Sequence, residues 1–87
     1  MDTQEDGIKS YDEIEAMLAA YVAQRTKTPA DEIDRTRRFD HLGLDSADAV
    51  VLIGELEDFV VRPLSAFLPY TFPTIEQLAR QVADGAG

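Results

Sequence analysis

Apolar residues recur at helical spacing in three places along the chain. Ile14, Met17, Leu18, Tyr21 and Val22 fall at i, i+3, i+4, i+7 and i+8, the pattern of one face of an α-helix. Ser10 and Glu13 stand at the spacing of a capping box, so a helix is predicted to open there, run to about Arg25 and stop before Thr28-Pro29. A second helix is predicted over about 46–60. Val50, Ile53, Leu56 and Val60 form its inward stripe, Ala49, Leu52 and Phe59 widen it, and Asp48, Glu55 and Asp58 face away. A third helix opens at Thr74-Ile-Glu-Gln77, read as another capping box, with Ile75, Leu78, Ala79 and Val82 turned inward.

The connections are unequal. Residues 26–44 form a long first loop, a length that in a compact domain commonly carries function. Ile33, Phe39, Leu42 and Leu44 are spaced to dip into the core and pin it, and Thr28-Pro29 ahead of Asp31-Glu32 suits a single helical turn. The stretch VRPLSAFLPYTFP is too proline-rich for a long helix, but Ser65 suits the cap of a short turn over 65–68. No segment shows strand-like alternation. The predicted fold is all-α, a small four-helix bundle of three main helices plus one short helix. Residues 1–8 read as a flexible N-terminal tail, 9–84 as the domain and 85–87 as a C-terminal tail.

Charge narrows the function. The chain of 87 residues has 17 acids against 8 bases, a formal net charge of −9. Such a surface repels nucleic acid and anionic membranes and steers towards basic proteins. Between Phe39 and Val61 there are six acids and no Lys or Arg, which reads either as a solvated helix face or as a docking surface. No apolar run reaches the ~18–20 residues of a membrane span, and MDTQEDG is unlike a signal peptide, so a soluble protein without a targeting segment is expected, cytoplasmic and monomeric. The chain has no cysteine, so any thiol chemistry must come from outside.

Two chemical leads are weak. Asp2, Gln4, Asp6, Gly7 and Glu13 mimic the offsets of a calcium loop, but Lys9 stands where an apolar residue belongs, and no helix precedes residue 2. His41, the single histidine, invites pairing with Ser46 as base and nucleophile. Ser46 lacks the strand and glycine of a nucleophile elbow, and a chain this short leaves little room for an enclosed site. His41 is read as a loop residue facing solvent or partner. No catalytic residue and no metal site are assigned.

The start of the second helix is more informative. If Asp45 is the N-cap, its carboxylate accepts from the first-turn amides, and Asp48 at N3 adds favourable charge at the positive helix end. Ser46 then falls at N1, exposed and without a structural duty. If Ser46 is the cap, N3 is Ala49 and offers no reciprocal bond. The first arrangement is favoured, and it leaves a free hydroxyl where a phosphate is welcome.

The stretch HLGLDSADAV, with Phe39 before it and FPTIEQLA near the end, resembles the acyl carrier protein family over about residues 10–84. The late motif and LIGELEDFVVRPLSAFLPYTFPTIEQLA are most similar to carriers of polyketide synthases, including those loaded by fatty acyl-AMP ligases. The resemblance implies that Ser46 carries 4′-phosphopantetheine, with Asp45 as its signature neighbour. The arm would come from coenzyme A through a magnesium-dependent phosphopantetheinyl transferase. The chain would then shuttle acyl thioesters to fatty acid or polyketide enzymes without catalysis of its own. Its partners would be the transferase, an acyl-loading ligase or acyltransferase, and a ketosynthase or other synthase enzyme, met through Asp48, Val51, Glu55 and Asp58.

Departures bear on partner choice. Ala47 follows the serine where the family often has Leu, and Val51 stands where it often has Glu, which points to a more apolar partner surface. Val61 replaces the glycine that often ends the second helix. Arg35, Arg37 and Arg38 make the long loop locally basic. Three other readings are carried forward: an unmodified acidic adaptor for a basic partner, a peptidyl carrier of a nonribosomal peptide synthetase, and a minimal serine hydrolase. Peptidyl carriers usually show Gly or His where Asp45 stands, which favours the acyl carrier.

Overall fold

The computed structural model of the chain describes residues 9–85; residues 1–8 and 86–87, which hold most of the two assigned tails and the calcium-loop mimic, lie outside them. The described residues form four α-helices: α1 (Tyr11–Thr26), α2 (Ser46–Val60), α3 (Leu68–Thr71) and α4 (Ile75–Ala83). Two 3-10 turns, Ala30–Glu32 and Phe39–Leu42, punctuate the long loop. Among the described residues there is no strand, only an isolated antiparallel bridge between Arg38 and Thr74. The all-α bundle of three main helices and a short one is as the periodicity predicts. None of these helices is long and apolar enough to cross a membrane.

Local chemistry starts each long helix. Ser10 Oγ accepts the Glu13 N–H at 3.1 Å, and Glu13 Oε1 accepts the Ser10 N–H at 2.9 Å, the predicted capping box. At α4 only half of the predicted box forms. Thr74 Oγ1 accepts the Gln77 N–H at 3.0 Å, but Gln77 Oε1 takes the Thr74 hydroxyl at 3.3 Å instead of returning to the backbone. The short helix lies further along than predicted. Ser65 makes the turn before it, its Oγ accepting from Phe67 N–H at 3.1 Å, and α3 begins at Leu68. Pro69 then falls in the first turn, where its missing N–H costs nothing.

Ile14, Leu18 and Val22 of α1, Leu52, Leu56 and Val60 of α2, and Ile75, Leu78, Ala79 and Val82 of α4 meet in one core. α1 packs most extensively on α4. The stripe of α2 differs from prediction by one residue: Ala49, Leu52, Ile53, Leu56 and Val60 are buried, whereas Val50 is 58% exposed. The unbroken apolar run Ala49–Ile53 fits two helical registers, and only packing against neighbouring elements selects one.

The long loop is laced to the rest by backbone as well as side chains. Ile33, Phe39 and Leu44 are buried as predicted, and Leu42 is half-buried. Phe39 N–H donates to the Pro73 carbonyl at 2.8 Å, and Glu76 N–H to the Arg35 carbonyl at 3.0 Å. Arg35 in turn donates to the carbonyls of Ala30 and Ile33, each at 2.7 Å. That arginine is therefore a loop brace as much as a surface charge. The lacing holds the loop against the α3–α4 link and fixes where α2 begins.

Candidate functional site

The site is built on the first turn of α2. Asp45 is the N-cap in extended geometry; its Oδ1 accepts the Asp48 N–H at 2.9 Å, and Asp48 Oδ2 accepts the Asp45 N–H at 3.2 Å. This reciprocal pair is the arrangement preferred on local grounds. Two residues of α1 reach the same place. The Arg25 guanidinium donates to Asp48 Oδ1, and the Tyr21 hydroxyl donates to the Asp48 carbonyl at 3.3 Å. The Asp45 amide, and after it Arg25, hold the Asp48 carboxyl below its usual range.

Ser46 is the first helical residue and is exposed. Among the described residues its hydroxyl has no hydrogen-bond partner, and the amides of Ser46 and Ala47 have no acceptor. The approach to it is fixed by Gly43 and Leu44. Gly43 has φ +101°, a conformation that side chains rarely adopt, and Leu44 is buried, its N–H donating to the Phe39 carbonyl at 3.1 Å. An exposed hydroxyl thus sits on an anchored backbone.

Ser46 opens onto a cleft of about 280 Å³. One wall comes from the loop residues Arg38, Phe39, Asp40 and Leu44, the other from Pro69, Tyr70 and Pro73, with Asp45 and Ala49 at the base of α2. Arg38 pairs with Asp40 at 3.0 Å. His41 is exposed and does not line this cleft, so the histidine–serine pairing is not assembled there. Among the described residues no cluster of three or more His, Asp or Glu side chains is placed to hold a metal ion.

The four residues assigned to partner contact divide. Val51, Glu55 and Asp58 are exposed along α2, but both Asp48 oxygens are engaged by Asp45 and Arg25, and its side chain is only 15% exposed. Its position on the outward face of the helix suggested otherwise; the i→i+3 bond turns it back on the cap. Val50 and Tyr70 join the exposed apolar surface around Ser46 and were not identified from sequence. Tyr21 and Arg25 were also missed as supports of the site. They share one face of α1 at i, i+4 spacing, a weak signal whose target is set only by the tertiary fold.

Comparison with known proteins identifies the family. The family described as the phosphopantetheine attachment site matches residues 17–82. Over 71 residues, 82% of this chain, the sequence is 37% identical to a phenolphthiocerol/phthiocerol polyketide synthase polypeptide of Mycobacterium tuberculosis, of whose length it spans 4%. An acyl carrier protein from Anabaena sp. PCC 7120, with a variant phosphopantetheinylation-site sequence, is 32% identical with a TM-score of 0.82, covering 97% of this chain and 93% of that one. A free-standing peptidyl carrier protein from Acinetobacter baumannii is 29% identical with a TM-score of 0.79, covering 86% and 94%. The chain belongs to the phosphopantetheine attachment family: it is a carrier domain of the acyl and peptidyl carrier type, whose cofactor is covalent 4′-phosphopantetheine.

Proposed function

We propose that this chain is an acyl carrier of polyketide or fatty acid biosynthesis, with Ser46 as the attachment residue and no catalysis of its own. The observation that carries the reading is the Asp45–Asp48 exchange, which starts α2 and leaves the Ser46 hydroxyl exposed without a partner. The residues fit the group. The unaccepted amides of Ser46 and Ala47 lie at the positive end of a helix, where a phosphate is stabilised. When attached, the arm supplies the thiol that the cysteine-free chain lacks. Leu44 and Gly43 hold the serine at the rim of the domain, and the mixed apolar and polar cleft beside it suits an amide-containing arm.

Partner selection is assigned to the exposed face of α2. Val51 offers apolar contact near Ser46, and Glu55 and Asp58 offer charge further along to the basic surfaces of a transferase, a loading ligase or acyltransferase, and a ketosynthase. Asp48 acts mainly through the cap. The similarity to a polyketide synthase polypeptide supports this cargo class; cytoplasmic action belongs to the same reading. Similarity to a peptidyl carrier supports a second reading, in which an aminoacyl group is loaded instead.

The test is mass spectrometry of the chain after incubation with coenzyme A and a broad phosphopantetheinyl transferase. A gain of one phosphopantetheinyl group, absent in Ser46→Ala, is expected; an unchanged parent mass would refute the assignment. Loading of the holo chain by a fatty acyl-AMP ligase, against loading by an amino-acid adenylation enzyme, separates the two cargo classes.

A further inference from the structure

Asp45 and Asp48 place two carboxylates in the turn that holds Ser46. A phosphodiester on Ser46 adds a third negative charge beside them, and like charges at this range oppose one another. The cation that meets this group comes from another helix. Arg25, in the last turn of α1, donates to Asp48 Oδ1. The second Asp48 oxygen holds the Asp45 N–H, so one carboxylate links Arg25 to the cap itself. Tyr21, one turn earlier on the same face of α1, clamps the Asp48 carbonyl at 3.3 Å. The Asp48 side chain is shielded by this packing, although the guanidinium remains half-exposed. The titration of the pair agrees: Asp48 raises Arg25, with a smaller contribution from Asp45. The arginine of the cleft, Arg38, is paired with Asp40 and does not do this work.

We propose that Arg25 is a positioning residue for the modification of Ser46: from α1 it holds the Asp45–Asp48 cap in place and offsets its charge, so that the first residue of α2 accepts a phosphate. The inference rests on Ser46 being the attachment residue. It gives α1 a part in the function that its sequence does not advertise.

The experiment compares Arg25→Gln and Arg25→Lys with Arg80→Gln, which removes the same charge from α4. With coenzyme A and a broad transferase, Arg25→Gln is expected to lower kcat/KM for the apo chain roughly two- to fivefold, the range open to a partly screened ion pair. Arg25→Lys is expected to restore most of the rate, and Arg80→Gln to leave it unchanged. Melting of the apo and holo forms gives the second readout. A strap that is only structural lowers both equally, whereas a charge-offsetting one lowers the holo Tm further, by about 3 °C. Equal losses in apo and holo with an unaltered modification rate, or an equal slowing in Arg80→Gln, would overturn the inference. A parent chain that never gains mass would instead defeat the reading of Ser46, and the inference with it.

Discussion

Asp45 and Asp48 exchange backbone amides across the first turn of α2, each carboxylate accepting the N–H of the other, at 2.9 and 3.2 Å. Ser46 lies between them and takes no part. Ser46→Ala is therefore expected to change stability by less than about 0.5 kcal/mol. Asp45→Ala is expected to cost about 1 kcal/mol, the usual loss for a cap. Urea unfolding of the two variants checks this. A large loss in Ser46→Ala would mean that the serine is a structural cap.

Acid should weaken the fold through named carboxylates. Asp48 is held below its ordinary value mainly by the Asp45 amide, Asp34 and Asp40 mainly by the Thr36 and Arg38 side chains, and Glu13 mainly by the Ser10 amide. A carboxylate whose folded value is depressed contributes stability above its unfolded value and loses it as pH falls through the folded one. Stability is thus expected to be level near neutrality and to fall progressively below about pH 4. In Asp48→Asn the fall should be shallower, as read from urea midpoints across that range.

Val61 ends α2 in the left-handed region at φ +58°, a conformation that a β-branched residue resists. The helix stops there all the same, because the N–H groups of Val61 and Arg62 both reach the Glu57 carbonyl, at 2.8 and 3.3 Å, and Glu57 Oε2 holds the Leu64 N–H at 2.8 Å. Val61 is 72% exposed, so its side chain gives little packing in return. Val61→Gly is expected to stabilise the chain by about 1 kcal/mol, the strain relieved less the added entropy of the unfolded glycine. A rise in Tm checks it.

Leu44 ties the loop to the core one residue before the cap. Leu44→Ala is expected to cost about 2–3 kcal/mol through the cavity it leaves. Because Leu44 also lines the cleft beside Ser46, transferase modification should slow even at temperatures where the variant is folded. Circular dichroism and timed mass spectra, taken together, separate the two effects.

Glu55 and Asp58 are exposed, and among the described residues neither takes part in an ion pair. Reversing either to Lys is expected to weaken binding to a basic partner several-fold at low salt and much less at high salt. The helical circular dichroism should be unchanged. An unfolded variant would show that the face is structural.

Much of the site is legible in the chain because its bonds are local. A capping box joins residues only three positions apart, so Ser10 with Glu13 and Asp45 with Asp48 are fixed by spacing alone, and with them the two helix starts and the free Ser46 hydroxyl. Helical periodicity likewise determines the fold class and most of the core. What spacing leaves undecided is anything whose partner is remote. The run Ala49–Ile53 fits two faces, and packing chooses the one that exposes Val50. Arg25 finds Asp48 across 23 positions, and Phe39 finds Pro73 across a longer stretch, only because the fold brings those segments together. The end of α2 draws on both levels: the Glu57 bonds to Val61, Arg62 and Leu64 are local, but Val61 has no intrinsic reason to turn left-handed, and Val60 and Leu64 on either side of it are buried in the core. Residue order along the chain thus places the Ser46 hydroxyl at the start of α2 and explains why it is free. What holds that turn still belongs to the tertiary fold, because contacts between distant segments exist only once the core has formed.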